Sequence, residues 1–280
     1  MFPGAARETS HQARSPMGVQ ILGGAASRPD RARGVPDGCV LAPLDGATLT
    51  PEAFVRANTR LASPPQVPEI RLHIADEAFG LWGKTEELLG RRDLPPPFWA
   101  FAWAGGQALA RYVLDHPDLV RGRRVLDLAT GSGLVAIAAA RAGAATVIGI
   151  DIDGLALAAF SLNAEANGVQ TRGVLQDVLD GEAFPADVVL AGDVFYEKSM
   201  ADRVLGFLVR ARSNGAVVLV GDPNRAYLPC PSFEHLATYR VDVTRALEDS
   251  LVKPTNVWRL GGLDRRGHVT EGAEPASGRA

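Results

Sequence analysis

Lysine is nearly missing from this chain: among its 29 cationic residues only Lys84, Lys198 and Lys253 are lysines, and the others are arginine. We read that bias as a coding preference rather than phosphate recognition, because 32 acidic residues bring the formal net charge to −3. No basic face is implied, so no nucleic-acid partner is expected. Cysteine is scarcer still. Cys39 and Cys230 are too few for a zinc site or a disulfide framework, which points to a reducing compartment and to no metal. That compartment is the cytoplasm for a bacterial source and the mitochondrial matrix for a eukaryotic one. No uninterrupted apolar run reaches the roughly 18 residues of a membrane helix, and no charged-then-apolar signal opens the chain, so no membrane association is expected. What remains is 280 residues, 46% of them hydrophobic, enough for one sizeable core with appendages. Nothing asks for more than a monomer.

Residues 1–48 mix Gly, Pro, Ser, Ala and Arg without apolar periodicity, which predicts a disordered extension. Arg7, Arg14, Arg28, Arg31 and Arg33 would suit a transit peptide, but Glu8, Asp30, Asp37 and Asp45 argue against one. Order is expected from Thr50, a natural N-cap before Pro51, with a helix to about Leu61. A strand over 66–74 and a helix over 76–89, stopped by Gly90, complete an accessory at 49–97. The main domain is placed at 98–263 and a flexible tail at 264–280.

Within the main domain strands and helices alternate over short links, the pattern of a mostly parallel sheet with helices on both faces. Strands are predicted at 124–128, 146–150, 173–175, 187–191 and 216–221, with a closing pair at 236–243 and 255–260, the last of them antiparallel. Helices are predicted at 108–114, 134–142, 154–167 and 198–212. The aromatic run Phe98-Trp99-Ala100-Phe101-Ala102-Trp103 stands out in a chain only 6% aromatic. It reads either as a latch onto the sheet or as a pocket wall, since aromatic faces attract cations.

The first strand runs into Ala129-Thr130-Gly131-Ser132-Gly133 and then an alanine-rich helix. Such glycines let a ligand approach the backbone, and the helix start offers N–H groups and a positive dipole end. Gly131-x-Gly133-x-x-Ala136, with Asp151 about 20 residues on, fits a dinucleotide fingerprint, so NAD is an option on spacing alone. Asp127 tips the balance. A carboxylate at the strand end would repel a pyrophosphate but attract the α-ammonium of S-adenosylmethionine.

Asp127, Asp151, Asp177 and Asp193 each follow a predicted parallel strand, so they share one rim. A lone acid there is usually a cap. As a set they divide into roles: Asp127 for the amino-acid part of the cofactor, Asp151 for the ribose hydroxyls, Asp177 for the adenine amino group. Asp153 is read as the cap of the following helix.

Val125 to Gly133, with Ile148-Gly-Ile-Asp-Ile-Asp153, resembles the cofactor motifs of class I S-adenosylmethionine-dependent methyltransferases. That resemblance implies an α/β fold with a Rossmann-like seven-stranded sheet. Gly192-Asp193-Val194-Phe195-Tyr196 is more specific: it resembles the Asp-x-Phe-Tyr motif of the lysine methyltransferases acting on the β subunit of electron-transfer flavoprotein. Phe98-Trp99-Ala100, Trp103 to Tyr112, Gly221-Asp222-Pro223-x-Arg225 and Thr255-x-Val257-Trp258 look like the same family, over roughly 66–260. The resemblance implies cofactor contacts from Trp103, Asp127, Ala129, Gly131, Gly133, Asp151, Ile152, Asp177 and Gly192. It implies substrate contacts from Trp99, Phe195, Arg225 and Trp258, with Asp193 and Tyr196 catalytic. Ala129 departs from the glycine of many methyltransferases; it fits if its φ is negative, so cofactor binding is still expected, over a less permissive turn.

The implied activity is methyl transfer to a protein lysine, with the flavoprotein β subunit as substrate. A lysine amine near pKa 10.4 must first lose its proton, which an apolar aromatic pocket beside a sulfonium promotes. The alternatives are a ribosomal-protein methyltransferase, similar over 125–167, a small-molecule N-methyltransferase, and a cofactor-binding module without turnover.

Overall fold

The structure is a computed structural model that describes residues 49–92, 94–182, 184–243 and 252–261. The predicted extension at 1–48 and the tail from 264 lie outside the described residues. So does Cys39.

Thr50 caps helix α1, Pro51–Asn58, its hydroxyl accepting the Ala53 N–H. The helix stops at Asn58 rather than near Leu61, because Arg60–Ala62 forms a strand, β1, paired antiparallel with β2, Leu72–Ile74. Only the end of the predicted strand over 66–74 is therefore strand. Helix α2, Ala78–Leu89, ends at left-handed Gly90 as expected. A short 3-10 turn over Phe98–Ala100 leads to α3, Ala104–Asp115. That helix begins earlier than the predicted 108 because Gly105 and Gly106 lie inside its first turn.

The remaining elements follow in alternation. They are β3 Arg124–Leu128, α4 Leu134–Arg141, β4 Thr146–Asp151, α5 Gly154–Ala166, β5 Arg172–Leu175 and β6 Val188–Gly192. After them come α6 Lys198–Ser213, β7 Val217–Asp222, β8 Phe233–Asp242 and β9 Val252–Leu260. The expected seven-stranded sheet is present, in the order β5-β4-β3-β6-β7-β9-β8. All neighbours are parallel except β9, which runs antiparallel to β7 and β8.

Alternate strand residues feed two cores. Val125, Val147, Leu190 and Leu219 pack with α3 and α4 on one face, and Leu126, Ile150, Val189 and Val218 pack with α6 on the other. The accessory joins a third cluster, in which Phe54, Val55, Trp99 and Phe101 meet Leu155, Ala159 and Leu162 of α5. Chain direction across the sheet reverses between β3 and β6, which puts a crevice at their carboxyl ends.

Candidate active site

At that crevice lies a cavity of about 350 Å³, within the size range of small-ligand sites. Its floor is the turn after β3. Ala129, Gly131 and Gly133 all take left-handed conformations, with φ of 52°, 52° and 80°. The condition of a negative φ at Ala129 is not met: the turn keeps its left-handed shape although the residue carries a Cβ. Gly133 does not border the cavity. Its lack of a side chain makes room beneath the turn for Phe160 of α5.

Asp127 is buried under the start of α4. Its Oδ2 accepts the Thr130 hydroxyl at 2.6 Å and the Ala136 N–H at 3.1 Å. Burial pushes its carboxyl up to about 7, although both donors favour the anion. Asp151 ends β4 and accepts the N–H groups of Gly131, Ile152 and Asp153 at 2.9, 2.8 and 3.0 Å. Burial raises its carboxyl too, and those donors pull it back. Asp153 caps α5 through the Leu155 N–H, as the sequence suggests.

The opposite side is built by close backbone packing. A Cβ on Gly105 would fall 2.3 Å from the Gly221 carbonyl, one on Gly221 2.1 Å from the Gly105 carbonyl, and one on Gly192 2.9 Å from Gly106. Glycine at these positions lets α3 sit directly on the ends of β6 and β7. Trp103, at the N-cap of α3, has no side chain to cap it, and Asp193 supplies the missing acceptor, taking the Gly106 N–H on Oδ2 at 2.9 Å. Its Oδ1 accepts from Arg225 Nη2 at 3.0 Å. Burial raises the Asp193 carboxyl, and the Arg225 charge opposes the rise. Asp222, fully buried at the end of β7, accepts the Arg225 backbone N–H at 2.6 Å and so fixes the loop that carries the guanidinium.

Aromatic side chains close the outer wall. Trp103 Nε1 donates to the Phe98 carbonyl at 2.8 Å, and the Phe98 ring meets Trp103 at 5.7 Å and Tyr196 at 5.4 Å between centroids. Trp99 is buried behind them, whereas Phe98 and Tyr196 are 37% and 44% exposed and stand at the mouth. Arg225 lies 5.9 Å from the Trp103 ring centroid. Burial and the charges of Asp151 and Glu197 push the Tyr196 hydroxyl up, so it stays protonated and is no base at neutral pH.

Trp99, Trp103, Asp127, Ala129, Gly131, Asp151, Ile152, Gly192, Asp193, Tyr196 and Arg225 thus border one cavity. Besides Gly133, three expected residues do not. Asp177 is turned away: it accepts from Arg203 Nη2 at 2.8 Å and from the Leu179 N–H at 3.1 Å. Phe195 is fully buried in the core edge-on to Phe233. Trp258 packs against that same core and meets His235. In place of cavity contacts, Asp177 makes an ion pair and the two aromatic side chains pack in the core. Thr130, Asn163 and Asp222 had no role assigned from sequence, although Thr130 and Asp222 lie in motifs quoted above. A hydroxyl at the third position after Asp127 was a usable signal for the first, while the other two need tertiary contacts to be seen.

Residues 108–194 match the ribosomal protein L11 methyltransferase (PrmA) family. Over most of its length the chain is similar to the electron transfer flavoprotein beta subunit lysine methyltransferase of Xenopus laevis, 38% identical across 79% of this chain and 91% of that one. The Homo sapiens protein of the same description is 36% identical across 76% of this chain and 84% of that one. The ribosomal protein L11 methyltransferase of Escherichia coli is 52% identical, but across only 28% of this chain and 27% of that one.

Proposed function

From the electron transfer flavoprotein beta subunit lysine methyltransferase family, to which this chain belongs, we propose that it moves methyl groups from S-adenosylmethionine to lysine on that flavoprotein subunit. The observation carrying the reading is one cavity that joins a desolvated carboxylate, Asp127, to an aromatic mouth at Phe98 and Tyr196.

The residues present fit the cofactor. Asp127 is a buried anion site for an ammonium, and it would repel a phosphate. Asp151 keeps acceptor capacity for a ribose hydroxyl, because three backbone donors use only part of the roughly four positions on a carboxylate. Gly131 would admit the ligand to the backbone, and Gly192 and Ile152 line the same cavity. When bound, S-adenosylmethionine supplies an electrophilic methyl group on a cationic sulfur.

The protein's own part is to bring in a neutral amine and aim it. Phe98, Trp99, Trp103 and Tyr196 exclude water from the incoming side chain, and desolvation lowers the pKa of a lysine. Arg225 places a like charge at the inner end, which lowers it further. Three donors, the Gly105 and Gly106 N–H groups and Arg225, use only part of the roughly four acceptor positions on the Asp193 carboxylate, which leaves one for an amine N–H. The Asp193–Arg225 pair therefore orients the nucleophile without stabilising an ammonium as an isolated carboxylate would. Alignment of nitrogen, methyl carbon and sulfur supplies much of the acceleration.

The test is incubation with isotopically labelled S-adenosylmethionine and, separately, purified flavoprotein β subunit and ribosomal protein L11, followed by mass spectrometry of the labelled residue. Methyl-lysine on the flavoprotein subunit is expected. Label on L11 alone, or none on either protein, overturns the reading.

A further inference from the structure

Asn163, on α5, is fully buried outside the cavity and bonds to two separate parts of the molecule. Its side-chain Nδ2 donates to the Ser132 carbonyl at 2.8 Å, and its Oδ1 accepts the His73 N–H at 2.7 Å. Ser132 belongs to the left-handed turn on the cavity floor, and His73 is the middle residue of β2 in the accessory hairpin. One turn further on, at the C-cap of α5, Asn167 holds the residue just before that strand in the same way. It accepts the Arg71 N–H at 3.0 Å and donates to the Arg71 carbonyl at 2.7 Å. The edge of β2 turned away from β1 is thus held by asparagines of a helix.

The two partners of Asn163 are of opposite kind, a carbonyl and an N–H. Only one orientation of the amide satisfies both. The hairpin's N–H therefore decides which end of the amide faces the turn. The turn needs such a tether, because it holds Ala129 in a left-handed conformation, and a non-glycine residue persists there only where surrounding contacts over-determine it. A buried Ser132 carbonyl without its donor would be a penalty added to that strain.

We infer that Asn163 is a positioning residue for the methyl-donor site. It locks the Ser132 carbonyl, and with it the turn that presents the Gly131 N–H to Asp151, while the accessory hairpin fixes the orientation of its amide. The accessory is then a supporting wall of the donor site rather than an arm for the protein substrate. This rests on the reading of the cavity as the S-adenosylmethionine site.

The test compares Asn163→Asp with Asn167→Ala in the full chain. Asn163→Asp keeps the acceptor for His73 but sets a second acceptor against the Ser132 carbonyl. Asn167→Ala loosens the hairpin without touching the turn. Asn163→Asp is expected to weaken S-adenosylmethionine binding by about tenfold or more in calorimetry, with kcat at saturating donor and KM for the protein substrate within about twofold. It is also expected to speed amide hydrogen exchange at Gly131 and Gly133 in the ligand-free protein. Asn167→Ala is expected to lower Tm and to have a distinctly smaller effect on both, because the His73 bond to Asn163 remains. Should the aspartate fail to fold, Asn163→Ser removes both bonds without adding charge and is expected to give the same pattern. Unchanged binding and exchange at position 163, or an equal effect at 167, overturns the inference. A wild-type protein that does not bind S-adenosylmethionine refutes the proposed function instead, and the exchange rates at Gly131 and Gly133 still decide the role of Asn163.

Discussion

Phe160 fills the space that a side chain at Gly133 would need: a Cβ built there falls 2.0 Å from the Phe160 ring. The same ring lies 2.6 Å from a Cβ built on Gly149 of β4, so α5 reaches under the cofactor turn only because both positions are glycine. Substitution at 133 meets two separate penalties. A left-handed Ala costs roughly 1–2 kcal/mol, and overpacking a fitted core costs about 1–3 kcal/mol more. Gly133→Ala is therefore expected to lose about 3 kcal/mol in denaturant unfolding. Adding Phe160→Leu should recover part of the loss; strictly additive effects would show that the ring is not the obstacle.

Ala129 presents the opposite case, a side chain where glycine would be at ease. Its φ of 52° carries the left-handed cost of roughly 1–2 kcal/mol, while glycine adds about 0.4–1 kcal/mol of unfolded-state entropy. The balance predicts that Ala129→Gly stabilises by about 0.5–1 kcal/mol. A lower Tm for the glycine variant would mean that the Ala129 methyl makes contacts worth more than its strain.

The turn and the strand-end acids were legible because their chemistry is local. Asp127, Gly131, Gly133 and Asp151 sit where strand, turn and helix signals converge on neighbouring residues. Elsewhere tertiary contacts decided. β1 has no alternating pattern, since Arg60 and Leu61 are both exposed, and only its backbone pairing with β2 makes it a strand. Gly105 and Gly106 read as a lead-in to α3 because glycine is a poor helix former, yet the approach of α3 to Gly192 and Gly221 requires them within the helix. Asp177 looked equivalent to the other rim acids by position alone. Its ion pair with Arg203, a residue of α6, could not be read from its own neighbourhood.

The Asp193–Arg225 pair predicts unequal consequences for its two members. Asp193→Asn keeps an acceptor for the Gly106 N–H but loses the charge that faces Arg225, so S-adenosylmethionine affinity should stay within a few-fold while single-turnover methyl transfer falls strongly. Arg225→Met leaves a buried carboxylate without its counter-charge. Breaking such pairs costs about 3–5 kcal/mol, and we expect the lower end because the Arg225 side chain is 22% exposed. Losing the cation raises the Asp193 carboxyl further, so a proton taken up there relieves the charge. The stability gap to wild type should widen as pH rises from the acid side, and a gap independent of pH over the whole range of stability would show that Arg225 acts by packing alone.

Cofactor binding should itself carry the signature of Asp127. Burial holds its carboxyl at about 7 in the free protein, well above the ordinary 3.8. Ionising a carboxyl whose folded pKa is raised costs stability, so this group favours the free fold most below pH 3.8 and progressively less as pH rises through 7. An ammonium ligand needs the anion. Below pH 7 binding must therefore expel a proton, and affinity should fall by up to about tenfold per pH unit. On the alkaline side an α-amino group itself deprotonates near 7.7–8.0, so the strongest binding is expected between roughly pH 7 and 8. Asp127→Asn retains an oxygen for the Thr130 hydroxyl and the Ala136 N–H and should fold. It should bind more weakly, with the acid limb gone. Calorimetry at pH 6.5 in buffers of different ionisation enthalpy should register proton release for wild type and none from position 127 in the variant. An acid limb of undiminished steepness in Asp127→Asn would move the linked proton to another carboxyl and remove Asp127 as the partner of the ammonium.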